Sequence, residues 1–425
     1  MNAAAVRPTV RPDPITRTDR RIDVLLLEGH YRQALACMRT YGRLGLRVGA
    51  VVCESEAWEA SNLKSRWCSL SAVLPDFTDR AAEFGSALLT LLDEHPVGML
   101  LPSHDGTIEV LRSRRAEFER RAALPLASEA ALDLATSKTR TLALAKELGI
   151  AVPRSVPVTD FSDLAEAIRD LGCPAVIKPV NSWVERGGVG TRLHCSVAST
   201  MDQAKSALED VLAVGGQAVL QEWLPGKREA VSLFFARDRF WARFAQVSHR
   251  EFPPVGGVSV LCESIPLLPE IIRPAESLVR AMNIEGCSMV EFRRDRNGRP
   301  VLMEVNPRMA GSVALAISAG VNFPYLLYCW SMGVPLREIS GYRMRRRLRW
   351  VEADLWNLTW AFRSPGQPDV PSPGRALTTF LSDFVVRPGA FNVVDVGDIR
   401  PELAQARKLL QLVGRRVHRI ALTNR

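Results

Sequence analysis

The sequence predicts a mixed α/β and α+β protein, with an N-terminal parallel-sheet domain, a larger two-part α+β unit and a C-terminal accessory region. Three observations predict it. Nearly all-apolar strand-like runs alternate with amphipathic helical stretches from Arg21 to Pro102, the pattern of a parallel sheet covered by helices. Later strand-like runs carry charged residues and meet at turn signals, above all Asp295-Arg296-Asn297-Gly298, as antiparallel hairpins do. A chain of 425 residues is also too long for one ordinary core.

The elements follow in order. Ile22 to Leu27, Leu46 to Val52 and Val97 to Pro102 read as strands, with helices at Tyr31 to Gly45 and about Ala81 to Leu92 between them. Gly29 stands outside any Gly-x-Gly-x-x-Gly loop, so the dinucleotide fingerprint is absent. Ser103-His104-Asp105 ends a strand, where open α/β sheets bind ligands; a solvated loop is the commoner explanation of such a triplet. A helix stops at Gly149 ahead of Pro153, a natural boundary. Pro174 to Pro179 is a short buried strand carrying Lys178, and Asn181 to Arg192 a glycine-rich loop. Val219 to Gly226, Ala230 to Phe235 and Phe240 to Ser248 are further strands, and Glu270 to Met282 is a helix. From about Gly341 the tryptophans Trp350, Trp356 and Trp360 suggest a separate core, divided by a Pro/Ser/Gly linker at Ser364 to Gly374.

Composition bounds the function classes. Hydrophobic content of 47% and charged content of 24% are those of a soluble globular protein. The net charge of +9 gathers in N-terminal arginines (Arg7, Arg11, Arg17, Arg20, Arg21) and in the run Arg343, Arg345, Arg346, Arg347 and Arg349. Such basic patches attract anions, yet no nucleic-acid module accompanies them. Nucleic acid is therefore not an expected partner, and the run reads as a solvated face open to weak peripheral attraction by an anionic membrane. The eight cysteines form no Cys-x-x-Cys pair and no zinc pattern; buried free thiols in a cytoplasmic protein are expected. No apolar run is long enough to span a bilayer, and residues 1–20 read as a basic tail without a signal core.

The richest stretch runs from Glu291 to Arg308. Period-2 alternation sends Glu304 and Asn306 to one face, and the hairpin folds Glu291 back beside them. Three hard oxygen donors suit Mg²⁺ held against nucleotide phosphates, and Arg308 is close enough to reach a phosphate or carboxylate. A surface hairpin with carboxylates paired to Arg293, Arg294 and Arg296 is the competing reading. Gly187, Gly188 and Gly190 allow backbone N–H groups to approach phosphate oxygens, with Lys178 nearby on a strand, although no Walker sequence follows.

In that order, the lysine strand, the glycine loop, the run Gln221 to Leu224 and the cluster of Glu291, Glu304 and Asn306 resemble the ATP-grasp superfamily of carboxylate–amine ligases and carboxylases. The resemblance spans most of residues 20 to 335. It implies a pre-ATP-grasp domain at 21–125, an ATP-grasp domain with ATP-binding and metal-binding subdomains at 126–338 and an accessory region at 339–425. It also implies that Lys138 and Lys178 contact ATP, that Gln221, Glu222, Trp223 and Leu224 form the hinge pairing with adenine, and that Glu229 holds the ribose. Glu291, Glu304 and Asn306 would be ligands for Mg²⁺, or Mn²⁺ in its place, and Arg308 would lie by the transferred phosphate. Gln221 departs from the glutamate common in relatives, and the glycine loop is shorter in small residues. The loop Gln246 to Gly257 is similar to the Arg-containing loop of amino-acid-ligase-like members, which makes Arg250 a candidate grip on a substrate carboxylate. The expected reaction joins the carboxylate of an amino acid or related small acid, activated as an acylphosphate, to an amine, with assembly into a homo-oligomer left open. Other carboxylate- or carbamoyl-activating chemistry and a non-catalytic nucleotide-binding module are the alternatives.

Overall fold

The structure is a computed structural model and describes residues 21–408 apart from 182, 187–188, 255, 386–389 and 392–393. The N-terminal unit contains β1 (Ile22–Leu26), α1 (Arg32–Arg43), β2 (Val48–Cys53), β3 (Cys68–Leu74), α2 (Ala81–Glu94), β4 (Val97–Leu101) and α3 (Asp105–Ser113). Its strands form a parallel sheet in the order β3-β2-β1-β4. The all-apolar runs are the strands buried on both faces, whereas β3 alternates half-buried and exposed residues, as a strand with one face open to solvent does. The short helix α4 (Arg115–Glu119) and then α5 (Glu129–Thr136) and α6 (Lys138–Glu147) lead out of this unit. Ser128 and Ser137 cap the last two by accepting from backbone N–H groups.

A small unit follows: β5 (Ser155–Val158), α7 (Phe161–Leu171), β6 (Ala175–Pro179), β7 (Trp183–Arg186), β8 (Val189–Arg192), β9 (Ser196–Ala198), α8 (Met201–Ala213) and β10 (Ala218–Glu222). Four of its strands make an antiparallel sheet in the order β5-β10-β6-β9, and β7 pairs with β8. The expected glycine-rich loop is thus a hairpin, with Gly190 in its second strand; Gly187 and Gly188 lie outside the described residues.

The third unit holds β11 (Arg228–Ala236), β12 (Arg239–Phe252), β13 (Val258–Ile265), α9 (Pro269–Met282), β14 (Gly286–Arg294), β15 (Pro300–Asn306), α10 (Val313–Ala319), α11 (Phe323–Ser331), β16 (Arg347–Arg349), α12 (Val351–Arg363), α13 (Pro373–Val385) and β17 (Ala390–Phe391). These strands build one seven-stranded sheet, β15-β14-β11-β12-β13-β16-β17. The β14–β15 turn needs a positive φ only at Gly298, at +77°. Gly298 N–H bonds the carbonyl of Asp295, and the Asp295 carboxylate accepts from the Asn297 and Arg299 N–H groups. Asn297 therefore needs no left-handed backbone, contrary to a turn in which both residues of Asn-Gly adopt it.

The buried clusters cross the boundaries between sheets. Leu25, Leu100 and Phe84 share a cluster with Leu132, Ala145, Leu278, Phe235, Val290 and Leu302. Met38 and Tyr41 of α1 share another with Phe234, Phe244, Leu315 and Leu326. The small unit keeps its own cluster, including Leu164, Ile177, Leu208 and Leu220. Two bodies welded by common cores and a third with a separate core form a frame with an independently packed lid.

The C-terminal region does not assemble a core around its tryptophans among the described residues. Trp356 is 40% exposed, and Leu355, Phe362 and Leu381 are exposed beside it. The region is held instead by charge: Asp354 takes Arg349 and Arg250, and Arg347 pairs with Glu263. Asp398 accepts from Arg39, the Ser65 hydroxyl and the Arg66 N–H. Two of the five arginines expected to be solvated, Arg347 and Arg349, are thus spent on internal ion pairs, because β16 adds that end of the run to the sheet.

Candidate active site

The cleft between the lid and the seven-stranded sheet gathers most of the expected residues. Glu291 and Glu304 stand directly opposite in the β14–β15 register, and the next pair, Phe292 with Leu302, skips Met303 in a bulge. The Met303 carbonyl accepts from Lys178 Nζ at 2.7 Å, linking the lid to the hairpin. Asn306 Nδ2 donates to Glu304 Oε1 at 3.1 Å, while Arg308 Nη2 donates to Asn306 Oδ1 at 3.2 Å. Arg308 Nε in turn binds Asp105 Oδ1 at 2.6 Å. On the other flank Glu291 Oε2 accepts from Arg228 Nη1 at 3.2 Å, and Arg228 Nε meets Glu251 at 3.2 Å.

Two facing carboxylates in a buried setting cannot both ionise cheaply. Glu291, 7% exposed, is pushed up to about 7 by burial, against the charge of Arg228 and with that of Glu304. Glu304 also suffers burial, but Lys178 and then Lys138 outweigh it and hold its carboxyl below the usual range. Lys138, the first residue of α6, is buried and has its ammonium pKa lowered by desolvation, with Glu304 and Lys178 among the charges facing it. No group of three His, Cys, Asp or Glu side chains suited to a metal is found among the described residues. Two opposed carboxylates plus an amide are nevertheless an all-oxygen donor set with room for phosphate oxygens. That is the chemistry of a hard divalent cation such as Mg²⁺, which keeps several non-protein ligands.

Lys178, Gln221, Glu222, Trp223 and Leu224 line a small cavity of about 80 Å³ together with Val176, Val197 and Met303. Gln221 is fully buried, and neither its Oε1 nor its Nε2 has a hydrogen-bond partner among the described residues. A buried amide left unmatched costs stability, so this one is poised to meet a ligand edge. Glu222 is tied to the Arg154 backbone in both directions, and the Arg293 guanidinium stacks on the Trp223 ring at 4.7 Å. This small cavity shares Cys195, Arg228, Glu291 and Glu304 with a cavity of about 770 Å³ that Asn306, Arg308, His30, Tyr31 and Arg32 also line. Trp183 of the lid hairpin packs on Phe77 and His104 of the N-terminal unit, with ring centroids 5.6 and 5.7 Å away.

Two expected site residues lie elsewhere. Glu229 binds Arg294 at 2.8 Å and lines neither cavity. Arg250 grips both oxygens of Asp354 at 2.7 Å and also binds Asp383. Strict alternation would set Gln246, Ser248 and Arg250 on one face. The β12–β13 register skips His249, however, so the bulge turns Arg250 away while Gln246 and Ser248 still line the larger cavity. Arg250 is thus corrected from a substrate contact to an internal ion pair. His249 itself faces Glu263, 3.2 Å away.

Sequence reasoning missed Arg32, Arg228 and the partnership of Asp105 with Arg308. The last two residues are separated by 203 positions, and no local pattern signals such a pair.

A family profile described as "ATP-grasp in the biosynthetic pathway with Ter operon" matches residues 242–353. The carbamoyl phosphate synthase large chain of Methanothrix thermoacetophila is 29% identical over 207 residues, 46% of this chain and 18% of that protein. This chain therefore covers under a fifth of that relative's length. The formate-dependent phosphoribosylglycinamide formyltransferase of Anaeromyxobacter dehalogenans is 27% identical over 267 residues, 61% of this chain and 67% of that one. The crystal structure of an L-amino acid ligase from Bacillus licheniformis superposes with a TM-score of 0.57 at 17% identity, covering 78% of this chain and 79% of its own. With the lid, the hairpin and the cleft between them, the chain is similar to ATP-grasp proteins in fold and, over residues 242–353, in sequence.

Proposed function

We propose that the protein is an ATP- and Mg²⁺-dependent ligase that activates a small carboxylate as an acylphosphate and joins it to an amine. The observation that carries this reading is the convergence of Lys178, Glu291, Glu304, Asn306 and Arg308 on adjoining cavities, with Lys138 among the charges acting on Glu304 and a buried Gln221 that has no hydrogen-bond partner among the described residues. Similarity to ATP-grasp proteins supports it, as do relatives named as a carbamoyl phosphate synthase large chain and a formate-dependent formyltransferase.

In this reading Gln221 and the backbone of Glu222 to Leu224 receive the adenine, and Lys178 and Lys138 neutralise phosphate charge. Glu291, Glu304 and Asn306 would hold Mg²⁺, which when bound neutralises phosphate charge and orients the transferring group. Arg308, fixed by Asp105 and Asn306, presents its guanidinium to the transferring group. Burial opposes its charge, but Asp105 raises its pKa above the ordinary value, so it stays cationic. Catalysis of this kind is positioning and charge stabilisation in a water-poor cleft, which requires no side-chain nucleophile. The lid hairpin, seated on Phe77 and His104 through Trp183, excludes water from the cleft.

The same reading divides the chain into a basic tail (1–20), a pre-ATP-grasp domain (21–125), an ATP-grasp domain (126–338) and an accessory region (339–425). Its partners are a small carboxylate and an amine, and its compartment is the cytoplasm, where the eight free thiols remain reduced. Among the described residues no single helix is long and apolar enough to cross a membrane. The test is phosphate release from Mg·ATP across pooled small acids and amines, with mass-spectrometric detection of the product. A chain that binds Mg·ADP yet turns over ATP with no pool is a nucleotide-binding module and not a ligase.

A further inference from the structure

Resting on that reading of the cleft, we infer that Arg32 and the open N-terminus of α1 bind a second oxyanion of the substrate, distinct from the carboxylate that is phosphorylated. Arg32 is the first residue of α1 and lines the larger cavity together with Glu304, Asn306 and Arg308. The neighbouring buried arginines have acidic partners: Arg228 has Glu251 and Glu291, and Arg308 has Asp105. Among the described residues none forms an ion pair with Arg32. Its Nη1 donates to the Ser259 carbonyl at 2.8 Å, and its guanidinium lies over the Trp350 ring at 4.8 Å.

The remaining Nε–Nη2 edge faces Gly311, where an added Cβ would stand 3.4 Å from Nη2 and 3.7 Å from Nε. A glycine there adds no side chain over the edge, and that edge is the one that donates to two oxygens of a carboxylate or phosphate side by side. The helix end adds a second reason. No side chain caps α1 at Tyr31, so its first N–H groups lack a side-chain acceptor and the positive end of the helix points toward the cavity. A cation at that end is electrostatically misplaced unless an anion joins it. Burial already lowers the Arg32 pKa to about 10, and the charge of Arg228 pushes in the same direction. An oxyanion in the cavity would satisfy the guanidinium edge and the helix end together, in a cavity that Arg308 also lines, which favours substrates with a free acidic group beyond the reacting one.

The test uses the full chain saturated with Mg·ADP, titrated calorimetrically with glutarate, inorganic phosphate and the neutral glutaramide. At least one anion is expected to bind and glutaramide is not; glutarate points to a carboxylate-bearing substrate and phosphate to a phosphorylated one. Arg32→Met should weaken that anion by about 10-fold or more, Arg32→Lys by less, and neither should change Mg·ADP affinity. The inference is overturned when wild type binds neither anion, or when Arg32→Met binds it as well as wild type does. Failure of Mg·ADP to bind counts against the nucleotide reading instead, and the same Arg32 dependence is then required of the nucleotide-free chain. Should Arg32→Met not fold, phenylglyoxal footprinting of the wild type decides. The bound anion must slow modification of Arg32, and unchanged modification refutes the site.

Discussion

Asp105→Asn removes the counter-ion that fixes Arg308, and the structure sets the size of the effect. The pair has contacts of 2.6 and 3.4 Å between side chains that are 16% and 23% exposed. Exposed pairs contribute roughly 0–1 kcal/mol, whereas breaking a buried pair costs about 3–5 kcal/mol. This partly covered pair falls between them, and a loss of about 2 kcal/mol is expected at pH 7. Burial opposes the Asp105 carboxylate, but Arg308 prevails and holds its pKa below the ordinary 3.8. A depressed folded-state pKa means stability that is present above 3.8 and lost as pH falls toward and through the folded value. At pH 3 the unfolded chain has already gained most of its proton, and about 1 kcal/mol of the contribution is gone. Urea unfolding of wild type and variant, followed by tryptophan fluorescence at pH 7.5 and pH 3, measures both quantities. The deficit of Asp105→Asn should shrink by about half on acidification. A deficit that is absent at pH 7.5, or equal at both pH values, refutes the electrostatic account of this pair.

Gln221→Leu replaces a buried amide without a partner by an apolar side chain of similar size, so stability should hold or rise by up to ~1 kcal/mol. Adenine-nucleotide affinity should fall about 10-fold; intact affinity in isothermal titration removes Gln221 from the site. The double change Glu304→Ala with Asn306→Ala should reduce Mg²⁺-dependent ATP turnover by about 100-fold or more, and retained turnover in a Mg²⁺ titration sinks the metal assignment. Arg250→Met removes the cation shared by Asp354 and Asp383, which keep Arg349 and Arg347 respectively, and should cost about 2 kcal/mol in thermal or urea unfolding. A variant of normal stability with a raised KM for the acid substrate would restore Arg250 to the substrate site.

Local pattern made much of the frame and the cleft legible. Apolar runs at Ile22, Val48 and Val97 announced a parallel sheet because strands buried on both faces have no reason to alternate. Glu304 and Asn306 were legible because alternation and a hairpin turn are short-range, and their pairing with Glu291 needs only the hairpin to close. Arg250 was not, since one bulge residue, His249, reverses the face of everything after it and leaves no mark in the sequence. The C-terminal tryptophans misled for a related reason. Burial depends on what packs above them, and α12 is anchored by Asp354 to Arg349 and Arg250 instead of by Trp356.

The sequence by itself determined the kinds of groups available: two lysines, an all-oxygen donor set, a glycine-rich hairpin and a buried glutamine strand, in an order set by local propensity and period. The tertiary structure alone decided which of these groups meet. Asp105 reaches Arg308 across 203 positions, Arg228 sits against Glu291, and Arg32 enters the cavity without an acidic partner among the described residues. The physical reason is range. Propensity and alternation act over a few residues, while the charge balance of a buried cleft is set by every side chain that packing brings within a few ångströms.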